Sequence, residues 1–141
     1  MNCIMDESPE SVYARAGAYN HCFEDYANVV LGSSGMRSGF VETNWLTPKR
    51  VRTLTITGSE GIINVEYTTQ ELCVEKNDHI YQPLNWYREP LYLELSDFTS
   101  AVLEKRKPSV TGVDGVEALR VCEAALRSAE TGRLVFLEDL C

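Results

Sequence analysis

The chain has 141 residues, a length that suits one domain over residues 1–141 with a single hydrophobic core. Its formal net charge of −8 argues against nucleic acid and anionic membrane surfaces as partners, because both require a cationic face. Five scattered cysteines without a C-x-x-C pair, and no apolar run long enough to span a bilayer, predict a soluble cytoplasmic protein with reduced thiols.

The part of the chain before residue 88 predicts strands. Alternating or β-branched runs cover residues 11–17, 24–31, 36–46, 50–57, 62–68 and 72–75. Residues 79–87 form either an edge strand or an extended connector, because Pro83 cannot lie in a central strand. The connections are too short for parallel crossovers, so the pairing should be antiparallel. Both Gly-x-x-Gly stretches, residues 32–35 and 58–61, lead into strands and are interpreted as hairpin turns, not phosphate-binding loops.

Two helices and a short strand follow. The first helix should begin at Pro90, end near Pro108 and carry an apolar stripe of Leu91, Leu95, Phe98 and Val102. The second should begin at Asp114 as N-cap and end at Gly132. Its predicted buried face comprises Ala118, Leu119, Cys122, Ala125, Leu126 and Ala129. Residues 134–137 are predicted to return as a strand.

Strands followed by helices predict an α+β fold, an open and mainly antiparallel sheet with helices packed on one face. Apolar residues occur on both sides of the third strand, with Phe40 and Leu46 on one side and Val41 and Trp45 on the other. The uncovered face is therefore predicted to be an interface, most simply that of a dimer. A charged residue at Val41 should weaken self-association if its side is the contact.

One basic cluster is a candidate binding site. Lys49, Arg50 and Arg52 follow Asn44 and Trp45, and an arginine there could hold a carboxylate or phosphate of a ligand. The alternative, a solvated strand edge whose charges block aggregation, is favoured by the residues alone.

The residues do not predict a catalytic or metal site. His21 and His79 are interpreted as loop or surface histidines, since neither has metal-ligand spacing to other residues. The sequence also lacks a serine in a nucleophile elbow and a glycine-flanked cysteine suited to covalent catalysis. We therefore assign no catalytic, cofactor-binding or metal-binding residue.

Several stretches taken in order resemble one known family. Residues 45–52 and 54–61 are similar to the central hairpin of the C-terminal domain of the Gfo/Idh/MocA oxidoreductases. Residues 89–108 resemble its first helix, and Gly112, Asp114-Gly115, Ala118-Leu119 and Ser128-Ala129 resemble its second. Residues 8–14 resemble the entry to that domain, so the likeness covers nearly the whole chain.

The resemblance implies the substrate-binding and oligomerisation domain of an NAD(P)-dependent oxidoreductase acting on sugars or polyols. In that family an N-terminal Rossmann domain binds NAD or NADP and carries a Glu-Lys-Pro lysine, for which this sequence has no counterpart. We therefore expect the chain to bind no cofactor itself and to be inactive without that half, supplied in cis or as a separate chain. The alternative is a stand-alone binding or assembly module that keeps the fold without catalysis.

Overall fold

The computed structural model describes residues 7–35 and 37–140. The strands are β1 (Ser11–Gly17), β2 (Tyr26–Gly32), β3 (Ser38–Asn44), β4 (Thr53–Gly58), β5 (Gly61–Glu66), β6 (Glu71–Glu75), β7 (Ile80–Tyr81) and β8 (Val135–Phe136). The helices are α1 (Pro90–Glu104) and α2 (Gly112–Thr131), and a 3-10 turn, Leu137–Asp139, follows β8. Neither of these helices is both long and apolar enough to cross a membrane.

The α+β class and the antiparallel pairing are confirmed, but the strands form two sheets where the sequence suggested one. The first sheet has the order β3-β2-β1-β8 and the second the order β4-β5-β6-β7. Residues 45–52 between β3 and β4 form no strand, and Pro48 in this stretch lacks the N–H that a continuing ladder would need. The described residues accordingly cluster into a first unit, within 1–47 and 110–141, and a second unit, 48–109.

Both glycine-containing connections are hairpin turns, as predicted. After β2, the Ser33 N–H donates to the Arg37 carbonyl oxygen at 3.1 Å, just before β3 begins, and Ser59 and Glu60 join β4 to β5. Gly61, at the end of the second turn, has a φ of 151°, and a Cβ there would lie 2.2 Å from the Glu75 carbonyl oxygen. Only glycine fits that position. The residues predicted as an edge strand or connector divide into the short strand β7 and an extended segment.

The core of the first unit lies between α2 and one face of the first sheet. Its buried residues are Val12, Ala14, Val29, Leu31, Ala124, Val135 and Leu137. Because side chains alternate along a strand, this assigns Val12 and Ala14 to the helix-covered face and Tyr13 to the opposite, open face. Alanines on α2 allow the helix to approach the sheet closely.

Ser128 on α2 links the helix to the sheet by hydrogen bonds. Its side chain is fully buried, and its hydroxyl oxygen accepts the Ala14 N–H at 2.9 Å. The same hydroxyl donates to the Arg133 carbonyl oxygen at 2.6 Å. The partner strand β8 is two residues long and pairs only with Ser11 and Val12. Ala14 therefore has no strand partner on that side of β1, and Ser128 accepts its N–H instead.

The helix boundaries were predicted well, with one error. Pro90 begins α1 and Gly132 caps α2 in the left-handed conformation, both as expected. The N-cap of α2 is Thr111, however, and Asp114 is the third helical residue. The Asp114 carboxylate accepts the Thr111 N–H at 2.7 Å, which completes a capping box.

The two predicted apolar helix faces also differ from the structure. On α2, Ala125 and Ala129 contact the core as predicted. The other predicted members, Ala118, Leu119, Cys122 and Leu126, are exposed. Apolar residues surround this helix, so periodicity did not identify which of them face the sheet. The α1 stripe beginning at Leu91 is also exposed in this chain.

Candidate functional site

Two loops leave the first sheet at the same end of its strands. Gly17, the last residue of β1, pairs with Tyr26, the first residue of β2, and Tyr26 pairs in turn with Asn44, the last residue of β3. Residues 18–25 and the chain after Asn44 therefore start from neighbouring positions. Binding residues are often carried by loops that a rigid scaffold positions. The loops at this end of the first sheet are therefore the candidate site.

Asp25 organises the first of these loops. Its side chain is 1% exposed, and its Oδ2 atom accepts backbone N–H groups from Tyr19 at 2.7 Å, Asn20 at 2.5 Å and His21 at 3.2 Å. Its Oδ1 atom is bonded to Nδ1 of the His21 ring. The hydrogen bond from the Asn20 N–H, followed by that from the His21 ring, holds the pKa of Asp25 well below its usual range. The carboxylate is therefore ionised and fully engaged.

The backbone of Asp25 connects this loop to both neighbouring strands. Its N–H donates to the Gly17 carbonyl oxygen at 2.8 Å, and its carbonyl oxygen accepts the Trp45 N–H, also at 2.8 Å. Tyr19, His21 and Trp45 are thus all bound to one buried residue through their backbone N–H groups. We call Asp25 with these three residues the Asp25 hub.

The rings of the hub remain in solvent although their backbones are fixed. Tyr19 is 82% exposed, Trp45 is 84% exposed and the His21 side chain is 67% exposed. Large aromatic residues usually bury their surface, so exposed rings on a fixed backbone are typical of a binding surface.

A hollow of about 280 Å³ lies next to the hub on the first sheet. It is lined by Tyr26, Asn28, Glu42, Thr43, Asn44, Leu46 and Thr47. Its lining includes Tyr26, the residue after Asp25, and Leu46, the residue after Trp45. The Asn44 Oδ1 atom accepts the N–H groups of Leu46 at 3.1 Å and Thr47 at 3.0 Å, which fixes the turn beside the hollow.

The structure brings together two of the five residues that the sequence proposed for ligand binding. Asn44 lines the hollow and Trp45 belongs to the hub. Lys49, Arg50 and Arg52 belong to the second unit and are exposed there. Ligand binding by these three residues stays a prediction.

The sequence did not identify Asp25 or Tyr19 as site residues. His21 is an exposed loop residue, as expected, but it is also the ring partner of a buried carboxylate. The available signal was the spacing of Asn20, His21 and Asp25 in a connection between strands, where a carboxylate can accept nearby backbone N–H groups. Among residues 7–35 and 37–140, the structure shows no group of three His, Cys, Asp or Glu side chains suited to a metal.

A second hollow, of about 470 Å³, lies near β8 and the end of α2. Arg127, Arg133 and Asp139 contribute to its lining. Because Val135 of β8 pairs with Val12, this hollow is at the other end of β1 from the Asp25 hub. The residues that line it include no aromatic ring, in contrast to the exposed rings of the hub.

The family is established by a match over nearly the whole chain. The model of the Gfo/Idh/MocA oxidoreductase family, C-terminal alpha/beta domain, matches residues 2–137. The chain therefore belongs to this family of oxidoreductases, as its C-terminal domain. This confirms the resemblance seen in the sequence.

Individual relatives agree with this assignment. Myo-inositol 2-dehydrogenase from Thermotoga maritima is 38% identical over 90 residues, which cover 59% of this chain and 27% of the relative. The structure is similar to aldose-aldose oxidoreductase from Caulobacter crescentus complexed with glycerol, with a TM-score of 0.84, 21% identity and coverage of 96% of this chain and 43% of that one. It is also similar to an oxidoreductase from Agrobacterium radiobacter in complex with NAD+, L-tartaric acid and magnesium, with a TM-score of 0.79, 19% identity and coverage of 99% and 46%.

The chain spans less than half the length of each of these relatives. Because the two solved structures are only 19% and 21% identical to this chain, their likeness supports the assignment of the fold alone.

Proposed function

We propose that this chain is the substrate-binding and oligomerisation domain of an NAD(P)-dependent sugar or polyol oxidoreductase, inactive without its nicotinamide-binding half. The observation that carries the proposal is the family match over residues 2–137. It is joined by the first sheet, whose second face is covered by none of the helices that the structure describes in its own unit. The remaining support comes from the chemistry of the two faces and from the names of relatives.

The described residues do not fit a dinucleotide. A pyrophosphate is normally held where a glycine-rich turn opens a helix, because the helix N-terminus offers free N–H groups. Residues 32–35 and 58–61 instead connect antiparallel strands. A nicotinamide cofactor, which supplies hydride transfer, would therefore be held by a Rossmann domain, in cis or as a separate chain.

The open face of the first sheet supports a role in self-association. The strand register places Tyr13, Val30 and Phe40 side by side across this face, with Phe136 on β8 at its edge. Val30, Phe40 and Phe136 are 44%, 66% and 45% exposed. An apolar row of this kind is typical of a subunit contact, and the simplest assembly is a dimer.

The substrate class is supported by what the relatives are named for. They include a myo-inositol dehydrogenase, an aldose-aldose oxidoreductase complexed with glycerol and a levoglucosan dehydrogenase in complex with NADH. We therefore propose a neutral polyol or sugar as substrate and NAD or NADP as cofactor of the complete enzyme. The free thiols of Cys22, Cys73 and Cys122 fit the reducing cytoplasm, where we place the protein.

Complementation tests this proposal. The chain is mixed with a separately produced nicotinamide-binding domain of Thermotoga maritima myo-inositol 2-dehydrogenase, and NADH formation is followed by absorbance with myo-inositol, levoglucosan and D-glucose. We expect NADH formation from the mixture with at least one of these compounds. Each half alone should give none, because hydride transfer needs the cofactor and the substrate held together.

A fusion of the two halves serves as a second arm, since weak association could limit the mixture. If neither the mixture nor a folded fusion reduces NAD+ or NADP+ with any of the three compounds, the proposed enzymatic role is wrong. The binding or assembly module then becomes the better explanation.

A further inference from the structure

We propose that the open face of the first sheet packs on the same face of a second copy about a two-fold axis that runs along β2, so that Arg15 of each copy binds the partner's Glu42. The arginine enters the hollow beside that glutamate. This inference deepens the proposed self-association and rests on it, because it specifies which residues of the two copies meet.

The strands of the first sheet contain two charged residues, and both belong to one row of the strand register. Arg15 on β1 pairs with Asn28 on β2, and Asn28 pairs with Glu42 on β3. Because side chains alternate along a strand, this row lies on the same side of the sheet as Tyr13, which is the open face. Of the ion pairs among the described residues, none joins Arg15 to Glu42 of the same chain.

Both charged groups can be reached by a partner, since Arg15 and Glu42 are exposed. Arg15 is also held on the face, because its Nε–H donates to the Tyr13 hydroxyl oxygen at 3.2 Å and its guanidinium carbon lies 6.0 Å from the centre of the Tyr13 ring. That hydrogen bond uses only Nε. Both terminal amino groups of the guanidinium can therefore still bind a carboxylate through two parallel hydrogen bonds.

The positions of the charges indicate the direction of the two-fold axis. β1, β2 and β3 each have seven residues, and β2 is the middle strand of the three. Sheets that pack face to face keep their strands roughly aligned. An axis along β2 therefore places β1 of one copy over β3 of the other, with each row facing the same row. Arg15 then faces the partner's Glu42, and by symmetry this contact occurs twice.

The same axis pairs the apolar row of this face. Tyr13 faces the partner's Phe40, and Val30 faces the partner's Val30. An axis running across the strands at the row of Arg15 would instead bring arginine onto arginine and glutamate onto glutamate. Like charges across an interface cost free energy, so the axis along β2 is favoured.

The hollow provides space for the partner's Arg15. Its volume of about 280 Å³ is small for a separate ligand, whose sites range from about 300 to 1,000 Å³, but it accommodates one side chain. Tyr26 and Glu42 in its lining offer an aromatic surface and a carboxylate, and arginine binds both kinds of group. Aligned sheets lie about 10 Å apart, a gap that an arginine and a glutamate can bridge.

Charge reversal tests this arrangement. The full chain is studied by sedimentation velocity over a range of concentrations as Arg15→Glu, as Glu42→Arg and as the double variant, each first shown to be folded by circular dichroism. Each single reversal replaces two attractive contacts by two repulsive ones, so the dissociation constant of the dimer should rise at least about tenfold. The double variant again has opposite charges at both contacts, and its dissociation constant should return to within about threefold of the natural value.

Mixing the two single variants gives a second measurement. Arg15→Glu carries two carboxylates in the charged row and Glu42→Arg carries two guanidinium groups, so a heterodimer of the two has two attractive contacts. An equimolar mixture should therefore associate at least about tenfold more tightly than either variant alone. An electrostatic effect confined to one chain gives no such recovery.

Matched reversals on α2 control for total charge. Arg127 and Glu130 are exposed on this helix, which covers the opposite face of the sheet. Arg127→Glu and Glu130→Arg should leave the dissociation constant within about threefold of the natural value. Glu42→Arg replaces a charge of −1 by one of +1, so the formal net charge changes from −8 to −6 and the overall repulsion between copies falls. A loss of affinity in this variant therefore comes from the local contact.

The arrangement is wrong if neither reversal weakens the dimer, or if neither the double variant nor the mixture recovers the lost affinity. In both cases weaker association of Phe40→Glu would still retain the open face as the contact. If the natural chain is monomeric at every concentration, the arrangement and the proposed self-association fail together. NADH formation in the complementation assay remains a separate test of the enzymatic role.

Discussion

At the scale of single residues, Asp25 carries most of the organisation of the candidate site. A carboxylate that accepts three backbone N–H groups and a ring nitrogen replaces interactions that four separate donors would otherwise make with water. It achieves this within a loop of eight residues between β1 and β2, where helix and strand ladders are unavailable. The loop is therefore ordered by one side chain.

This arrangement predicts a specific dependence of stability on pH. The folded-state pKa of Asp25 is lowered, so the stability that it contributes is fully present above the unfolded-state pKa of about 4. It is lost as the pH falls further, through the folded-state pKa. Asp25→Asn should lower the melting temperature by several degrees at pH 7, and the difference from the natural sequence should shrink as the solution is made more acidic than about pH 4.

Circular dichroism melts at a series of pH values measure this difference. Asp78→Asn is the control, because Asp78 also contacts a histidine but is 82% exposed, and its melting temperature should follow that of the natural sequence throughout. A difference between Asp25→Asn and the natural chain that stays constant down to strongly acidic pH would contradict the assigned ionisation.

The role of Asp25 could not be predicted from the sequence. Asn20, His21 and Asp25 have the composition of a turn, and that part was predictable. The hydrogen bond from the Trp45 N–H to the Asp25 carbonyl depends on how β2 pairs with β3, which residue types do not encode locally. Asn44 and Trp45 were included because they precede the basic residues Lys49, Arg50 and Arg52 in the sequence.

At the scale of elements, the helix ends were predictable because their chemistry is local. Pro90 at the first turn and Gly132 after the last need no tertiary information. The buried face of α2 was less predictable, since Leu119 is exposed while the smaller Ala124 is buried. Close approach to the sheet selects residue size there, and a hydrophobic pattern does not contain that information.

A substitution at Ser128 tests how α2 is joined to the first sheet. Ser128→Ala removes the partner of two backbone groups, the Ala14 N–H and the Arg133 carbonyl, without changing the packing volume greatly. We expect a loss of about 1–3 kcal/mol in the free energy of unfolding, the cost of leaving buried polar groups unsatisfied. Urea denaturation measures it.

Thr131→Ala is the matched control on the same helix. The Thr131 hydroxyl also donates to a backbone carbonyl, that of Arg127 at 2.7 Å, but the residue is exposed and water can replace the bond. Its effect should stay within about 0.5 kcal/mol. Equal losses for the two variants would show that the bonds of Ser128 do not depend on burial.

At the scale of the whole molecule, the structure distinguishes the two faces of β3, which the sequence did not. Phe40 pairs with Val30 on the open face, while Val41 pairs with the buried Val29 on the helix-covered side. Trp45 lies beyond the end of β3 and so does not share a strand face with Val41. The earlier test of a charge at Val41 now becomes the control.

Phe40→Glu should weaken self-association, because it places an unpaired charge at the β3 end of the apolar row formed with Val30 and Tyr13. Val41→Glu introduces the same charge one residue away but on the other side of the sheet, and the dimer should persist. Sedimentation velocity over a range of chain concentrations gives the dissociation constant, which should rise at least about tenfold for Phe40→Glu alone. If Val41→Glu dissociates the dimer and Phe40→Glu does not, the interface is on the helix-covered side. If the natural chain is monomeric at every concentration, the open face is not a self-association surface.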